Sequence, residues 1–159
     1  MNITEKDKEY MREAIRLADE SVKNGGGPFG AVIVKDGEII AGSANSVTID
    51  NDPTAHAEVN TIRQACKKLG TFDLSDCVIY TSCEPCPMCL GAIYWARIKR
   101  IYYGNTKKDA ADINFADDFI YKELEQRKEK RFVPLISLLR NEALKTFRAW
   151  EAKKDKVEY

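Results

Sequence analysis

The feature that most constrains this chain is a pair of helix openings, each carrying side chains of metal-ligand type. His56-Ala57-Glu58 opens one stretch of helical apolar periodicity, Pro85-Cys86-Pro87-Met88-Cys89 opens another, and a strand-like run separates them. Cys86 and Cys89 stand three apart, which puts both sulfurs on one side of a first helical turn. The unpaired amides and the dipole of that turn favour thiolates. A neutral imidazole from His56 makes a third ligand. Three protein ligands leave one tetrahedral position open, the arrangement of a catalytic zinc rather than a closed structural one, and imply one ion per chain.

Glu58 follows His56 by two positions and cannot share its helical face, so it reads as a neighbour of the open position rather than a fourth ligand. Two thiolates weaken zinc as a Lewis acid, and a nearby base must then take the proton from bound water. A carboxylic acid formed in this way can return the proton to a ring nitrogen or a departing amine. Taken alone, a histidine at a helix start is a common cap and a CxxC is often a redox pair. Here the two occur together and in order, and His56 is the one histidine of the chain. Cys83-Glu84-Pro85-Cys86 is a second CxxC, but Cys83 precedes the helix that Pro87 opens, so Cys86 and Cys89 have the better geometry. Cys83, Cys66 and Cys77 read as small buried residues.

The remaining elements place these residues in an α/β fold. Residues 4–22 carry Met11, Ala14, Ile15, Ala18 and Val22 at helical spacing behind a Thr4/Asp7 capping pair, and the glycines at 25–27 end that helix. Residues 29–34 and 39–44 read as antiparallel strands joined through Asp36-Gly37. A polar loop, 45–52, leads to a helix entered at Pro53-Thr54, with His56 in its first turn and Gly70 after its end. Residues 78–81, 87–95 and 100–103 read strand, helix, strand, a crossover that makes its two strands parallel and the whole sheet mixed. Beyond Gly104 the pattern is weaker. Residues 117–125 suit a short helix, 132–139 are apolar but interrupted by Pro134, and 141–156 are helical with Ala143, Leu144, Phe147 and Trp150 on one side.

Length and composition bound the function. The 159 residues, 44% of them hydrophobic, suit one domain with an ordinary core. Lys and Arg number 25 against 25 Asp and Glu, so no overall positive field draws the chain to nucleic acid and a small or neutral ligand is favoured. The charged opening residues lack the apolar region of a secretory signal, and no stretch has the length of a membrane span. Five cysteines, three of them within 83–89, fit a reducing compartment, so a cytoplasmic location is expected.

The His-x-Glu and Pro-Cys-x-x-Cys pair is the zinc deaminase signature. Around it, stretches 51–59 and 80–97 resemble the bacterial guanine deaminases of the cytidine deaminase superfamily. The resemblance extends to 27–34, to Phe119-Ile120-Tyr121-Lys122-Glu123, and to the ending with Trp150 and Glu158-Tyr159. It implies a three-layer fold with a mixed five-stranded sheet and helices on both faces. It also implies hydrolysis of guanine to xanthine and ammonia, a step of purine breakdown or salvage, in a homodimer that exchanges its C-terminal segment, about 141–159. By the same resemblance Asn45 and Asp117 contact the purine, Phe29 and Trp95 wall the pocket, and Tyr159 closes it from the other subunit. Guanosine, adenosine in transfer RNA, and pyrimidines are the alternative substrates, and a structural zinc module is the alternative without chemistry.

Overall fold

The computed structural model describes residues 2–159. They form two compact units, the first running to Asp118 and the second spanning Phe119–Tyr159. The first unit opens with α1, Glu5–Lys23. Thr4 caps it in a full capping box: Asp7 N–H donates to Thr4 Oγ1 at 3.1 Å, and Thr4 N–H donates to Asp7 Oδ2 at 2.7 Å. The other oxygen of the same carboxylate accepts from Tyr80 O–H at 2.5 Å, which ties the start of the helix to the sheet.

Strands β1, Gly30–Lys35, and β2, Glu38–Ala44, form the expected antiparallel hairpin. Asp36 and Gly37 take φ of 50° and 81°, the paired left-handed conformation that suits the twist of a tight hairpin. A four-residue helix α2, Val47–Asp50, occupies the stretch read from sequence as loop. Helix α3 is Ala57–Leu69, β3 is Val78–Cys83, α4 is Pro87–Trp95 and β4 is Ile101–Asn105. The short α5, Lys107–Asp112, was not anticipated, although its Thr106/Asp109 capping box repeats the signal of Thr4 and Asp7.

The strand order is β2-β1-β3-β4, with β1 antiparallel to both β2 and β3, and β3 parallel to β4 across the α4 crossover. Alternate residues feed two apolar layers. On one face Val32, Val34 and Tyr80 pack with Ala14 of α1; on the other Ile33 and Ile79 pack with Ala65 of α3 and Ile93 of α4. The result is three layers with helices on both faces. At Gly30 a Cβ would meet the Ala14 carbonyl oxygen at 2.3 Å and the Ala18 nitrogen at 2.6 Å, so only glycine lets α1 lie this close to β1.

The sheet has four strands among the described residues, not the five that the resemblance implied. Residues 132–139, apolar but interrupted by Pro134, take no regular structure. That run belongs to the second unit, which holds α6, Asp118–Glu125, from its second residue onward, a 3₁₀ turn at Lys128–Lys130 and α7, Arg140–Ala152. Within this unit Phe119 meets Phe132 edge to face at 6.2 Å, and Phe132 N–H donates to Glu123 Oε2 at 2.6 Å. Much of its apolar surface faces outward, with Ile136 85% and Leu138 80% exposed. No helix among the described residues is long and apolar enough to cross a membrane.

Candidate active site

His56 and Cys86 both occupy N-cap positions. His56 has φ −72° and ψ 155°, extended backbone, and so lies one residue before the first turn of α3 rather than within it. The loop in front of it fixes that conformation. Asp52 Oδ1 accepts from Thr54 N–H at 2.8 Å and from its hydroxyl at 2.7 Å, the local bonding that makes Asp a turn former. Ser46 N–H then donates to the Ala55 carbonyl at 2.9 Å, which ties the end of β2 to the residue before His56.

Cys86 caps α4 with φ −66° and ψ 167°, Pro87 follows at the first helical position, and Cys89 N–H donates to Cys86 Sγ at 3.5 Å. Two helix N-termini thus converge. His56 Nδ1 lies 3.6 Å from Cys86 Sγ and 3.5 Å from Cys89 Sγ, and the three ligand atoms lie within 4.8 Å of one another. A tetrahedral zinc with Zn–S near 2.3 Å and Zn–N near 2.0 Å separates such donors by about 3.5 Å, so the spacing fits that ion. Cys83 stands apart from this group, with its thiol directed to the Thr106 carbonyl at 3.7 Å. All five cysteines are free.

The electrostatics also suit a cation. The Cys89 thiol, backed by the His56 ring and the Cys89 N–H, holds Cys86 far below the usual thiol range, at about 4. Cys89 in turn is pushed up, first by Cys86, then by burial and by Glu58. The His56 ring is raised, chiefly by its contact with Cys86. Two thiols this close cannot both ionise against water alone, whereas a divalent ion between them removes the conflict.

Glu58 sits in the first turn of α3, on the inward face with Ala57, Thr61 and Ala65, and is 6% exposed. Its Oε1 accepts from Thr81 O–H at 3.0 Å and its Oε2 from Cys89 S–H at 3.4 Å. Burial raises its pKa, the direction that suits a group that carries a proton. The carboxyl therefore borders the His-Cys-Cys group without belonging to it.

The residues expected to bind substrate divide into two sets. Asn45 is buried at the end of β2, where its N–H donates to the Phe29 carbonyl at 3.0 Å and its Oδ1 accepts from Val47 N–H at 3.2 Å. Phe29 meets Phe115 edge to face at 5.0 Å. Asp117 lies two residues beyond Phe115. Its Oδ1 is the one buried side-chain polar atom without a hydrogen-bond partner among the described residues. Burial raises the Asp117 pKa first and the nearby Cys86 raises it further, which puts this carboxyl within electrostatic reach of the cysteine pair. Trp95 is not gathered there in the same way. Trp95 ends α4 and is 68% exposed, about 9 Å of helix rise from Cys89. Tyr159, in the second unit, is 74% exposed. Sequence reading did not single out Thr81 or Asn60. A threonine in a strand and an asparagine one turn into a helix carry no local sign of what they bond.

The chain belongs to the family defined by the cytidine and deoxycytidylate deaminase zinc-binding region, whose model matches residues 4–105. Within it, guanine deaminase of Bacillus subtilis (strain 168) is 56% identical over 151 residues, 94% of this chain and 97% of that one. The crystal structure of guanine deaminase from Bacillus subtilis superposes with a TM-score of 0.93 at 54% identity, covering all of this chain and 99% of the other. The tRNA-specific adenosine deaminase of Bacillus subtilis is 43% identical, but over 62% of this chain and 61% of its own length.

Proposed function

We propose that this protein hydrolyses guanine to xanthine and ammonia at a zinc site formed by His56, Cys86 and Cys89. The observation that carries the reading is the likeness to a guanine deaminase over 94% of the chain, well past the zinc-binding region at 4–105 that other deaminases share. Zinc, one per chain, would be held by His56, Cys86 and Cys89 and would supply Lewis acidity to water. Glu58 would accept a proton from water, hold it within a buried site where the neutral carboxyl is favoured, and return it to the substrate. Asp117 Oδ1, buried and unpartnered, is an acceptor suited to an N–H of the base. Asn45, with Oδ1 held by Val47 N–H, offers its amide donor, and Phe29 supplies an apolar wall. An aminated purine has the N–H groups and the flat face that this set requires.

The chain acts as a homodimer in this reading, with the segment around 141–159 exchanged so that Tyr159 closes the partner's pocket and Trp95 adds an aromatic wall. Outward-facing apolar residues such as Ile136, Leu138 and Phe147 support a surface that is covered in the assembled protein. The test is ammonia release from a panel of guanine, guanosine, adenosine, cytidine and aminotriazines. Guanine is expected to lead. Faster turnover of cytidine would overturn the substrate assignment, and activity confined to transfer RNA, with the steep salt dependence of phosphate contacts, would move the protein to the RNA-editing branch.

A further inference from the structure

Ile79 and Thr81 of β3 face the same side of the sheet, toward α3. Ile79 enters the apolar layer there, whereas Thr81, 1% exposed, meets the first turn of α3 with its hydroxyl. That hydroxyl donates to Glu58 Oε1 at 3.0 Å, while Glu58 Oε2 lies 3.4 Å from Cys89 Sγ. The two oxygens of one carboxylate are therefore unlike. One is bound by the sheet, and the other looks into the His56/Cys86/Cys89 group.

The donor is rigid. Thr81 pairs with Ala31 on one side and with Tyr103 on the other, within an interior strand, so its backbone cannot drift. The helix is indexed to the same strands by Thr61, whose hydroxyl lies 2.7 Å from the Ala57 carbonyl and 3.2 Å from that of Ala31, the β1 partner of Thr81. Glu58 has three side-chain torsions, and its carboxyl is reached by its own backbone N–H as well as by Thr81 and Cys89. When Cys89 serves as a thiolate ligand its S–H is gone, and the Thr81 hydroxyl is the bond of this pair that persists.

We propose that Thr81 is a positioning residue for Glu58: its hydroxyl pins Oε1, so that proton transfer at this site runs through Oε2. This rests on the reading of Glu58 as proton carrier given under Proposed function. A carboxylate held by one oxygen keeps the other at a set distance and angle, and small losses of that geometry slow proton transfer more than they weaken substrate binding.

The experiment compares Thr81→Val, which keeps the shape and removes the hydroxyl, with Thr81→Ser, which keeps the hydroxyl, in full-length zinc-loaded protein. Zinc content is measured for each, together with kcat and KM for guanine and the carboxyl ¹³C resonance of Glu58, assigned by its loss in Glu58→Gln. Thr81→Val is expected to hold zinc, to shift the Glu58 resonance, and to fall more than about fivefold in kcat below Thr81→Ser with KM little changed. If Thr81→Val does not fold, Thr81→Ala takes its place against the same serine reference. A kcat within fivefold of Thr81→Ser, or an unmoved Glu58 resonance, overturns the proposal. Glu58→Gln separates the two levels: if that variant stays active, the proton-carrier reading fails and the positioning role falls with it. If it is inactive while Thr81→Val matches Thr81→Ser, only the positioning role fails.

Discussion

The side-chain amide of Asn60 lies 3.0 Å from the Ser46 hydroxyl oxygen, and the same nitrogen reaches the Ala44 carbonyl at 3.2 Å and the Ala55 carbonyl at 3.3 Å. One donor thus holds both neighbours of Asn45 and the residue before His56. Asn60→Asp replaces that donor with an acceptor facing two carbonyl oxygens and one hydroxyl. It is expected to cost about 1–3 kcal/mol in denaturant unfolding and to release zinc to a mild chelator faster than wild type. Unchanged unfolding and unchanged metal retention would show that Asn60 is not the clamp.

Metal analysis of the purified protein should find about one zinc per chain. His56→Ala, Cys86→Ala and Cys89→Ala should each empty the site, because their ligand atoms form the one compact group. Cys83→Ala should keep it, since its thiol points to the Thr106 carbonyl. A Cys83→Ala protein without zinc, beside a zinc-loaded Cys89→Ala, would reverse the ligand assignment.

Glu58→Gln keeps the size and the Thr81 contact of the side chain but cannot take a proton. It should fold, bind zinc and lose roughly a hundredfold to ten-thousandfold in kcat, the usual range for a general acid–base group. Steady-state rates decide the point, and activity within tenfold of wild type would remove Glu58 from the reaction.

Asp117 offers a test in which stability and activity should move in opposite directions. Its pKa in the folded protein is raised by burial, so the native state holds its proton more tightly than the unfolded chain does. The ionised group therefore subtracts stability above the raised pKa, and this loss disappears as the pH falls below the ordinary carboxyl range. Asp117→Asn should accordingly have a ligand-free Tm near pH 7 no lower than wild type, while kcat/KM for guanine drops at least about tenfold, as expected when a buried hydrogen bond to the base is lost. A lower Tm with unchanged kcat/KM would make Asp117 a structural residue.

Removing residues 153–159 should leave a folded, zinc-loaded protein with little guanine deaminase activity, because a closing segment excludes water and completes the pocket. Mixed dimers test the exchange. A truncated chain with intact Glu58, paired with a full-length Glu58→Gln chain, should recover activity if the tail covers the partner's site, and should not if it covers its own. Subunit mixing must be shown directly, for instance by a mass tag.

Local chemistry was legible in the sequence. Thr4 with Asp7, Asp36-Gly37, Pro87 after Cys86, and the His-x-Glu and Cys-x-x-Cys spacings each act within a few residues, where backbone geometry alone determines what can bond. The Thr106/Asp109 box was equally local and could have announced α5. The mixed sheet and the parallel crossover followed from period and order. The tertiary structure decided which distant groups meet: Thr81 with Glu58, Asn60 across two loops, and Tyr80 with the cap of α1, 73 residues away. It also left Asp117 Oδ1 buried without a partner, and gave the sheet four strands where the resemblance implied five. Such pairings depend on strand register and helix placement, and register is set by the sum of many apolar contacts rather than by the identity of the residues that end up bonded.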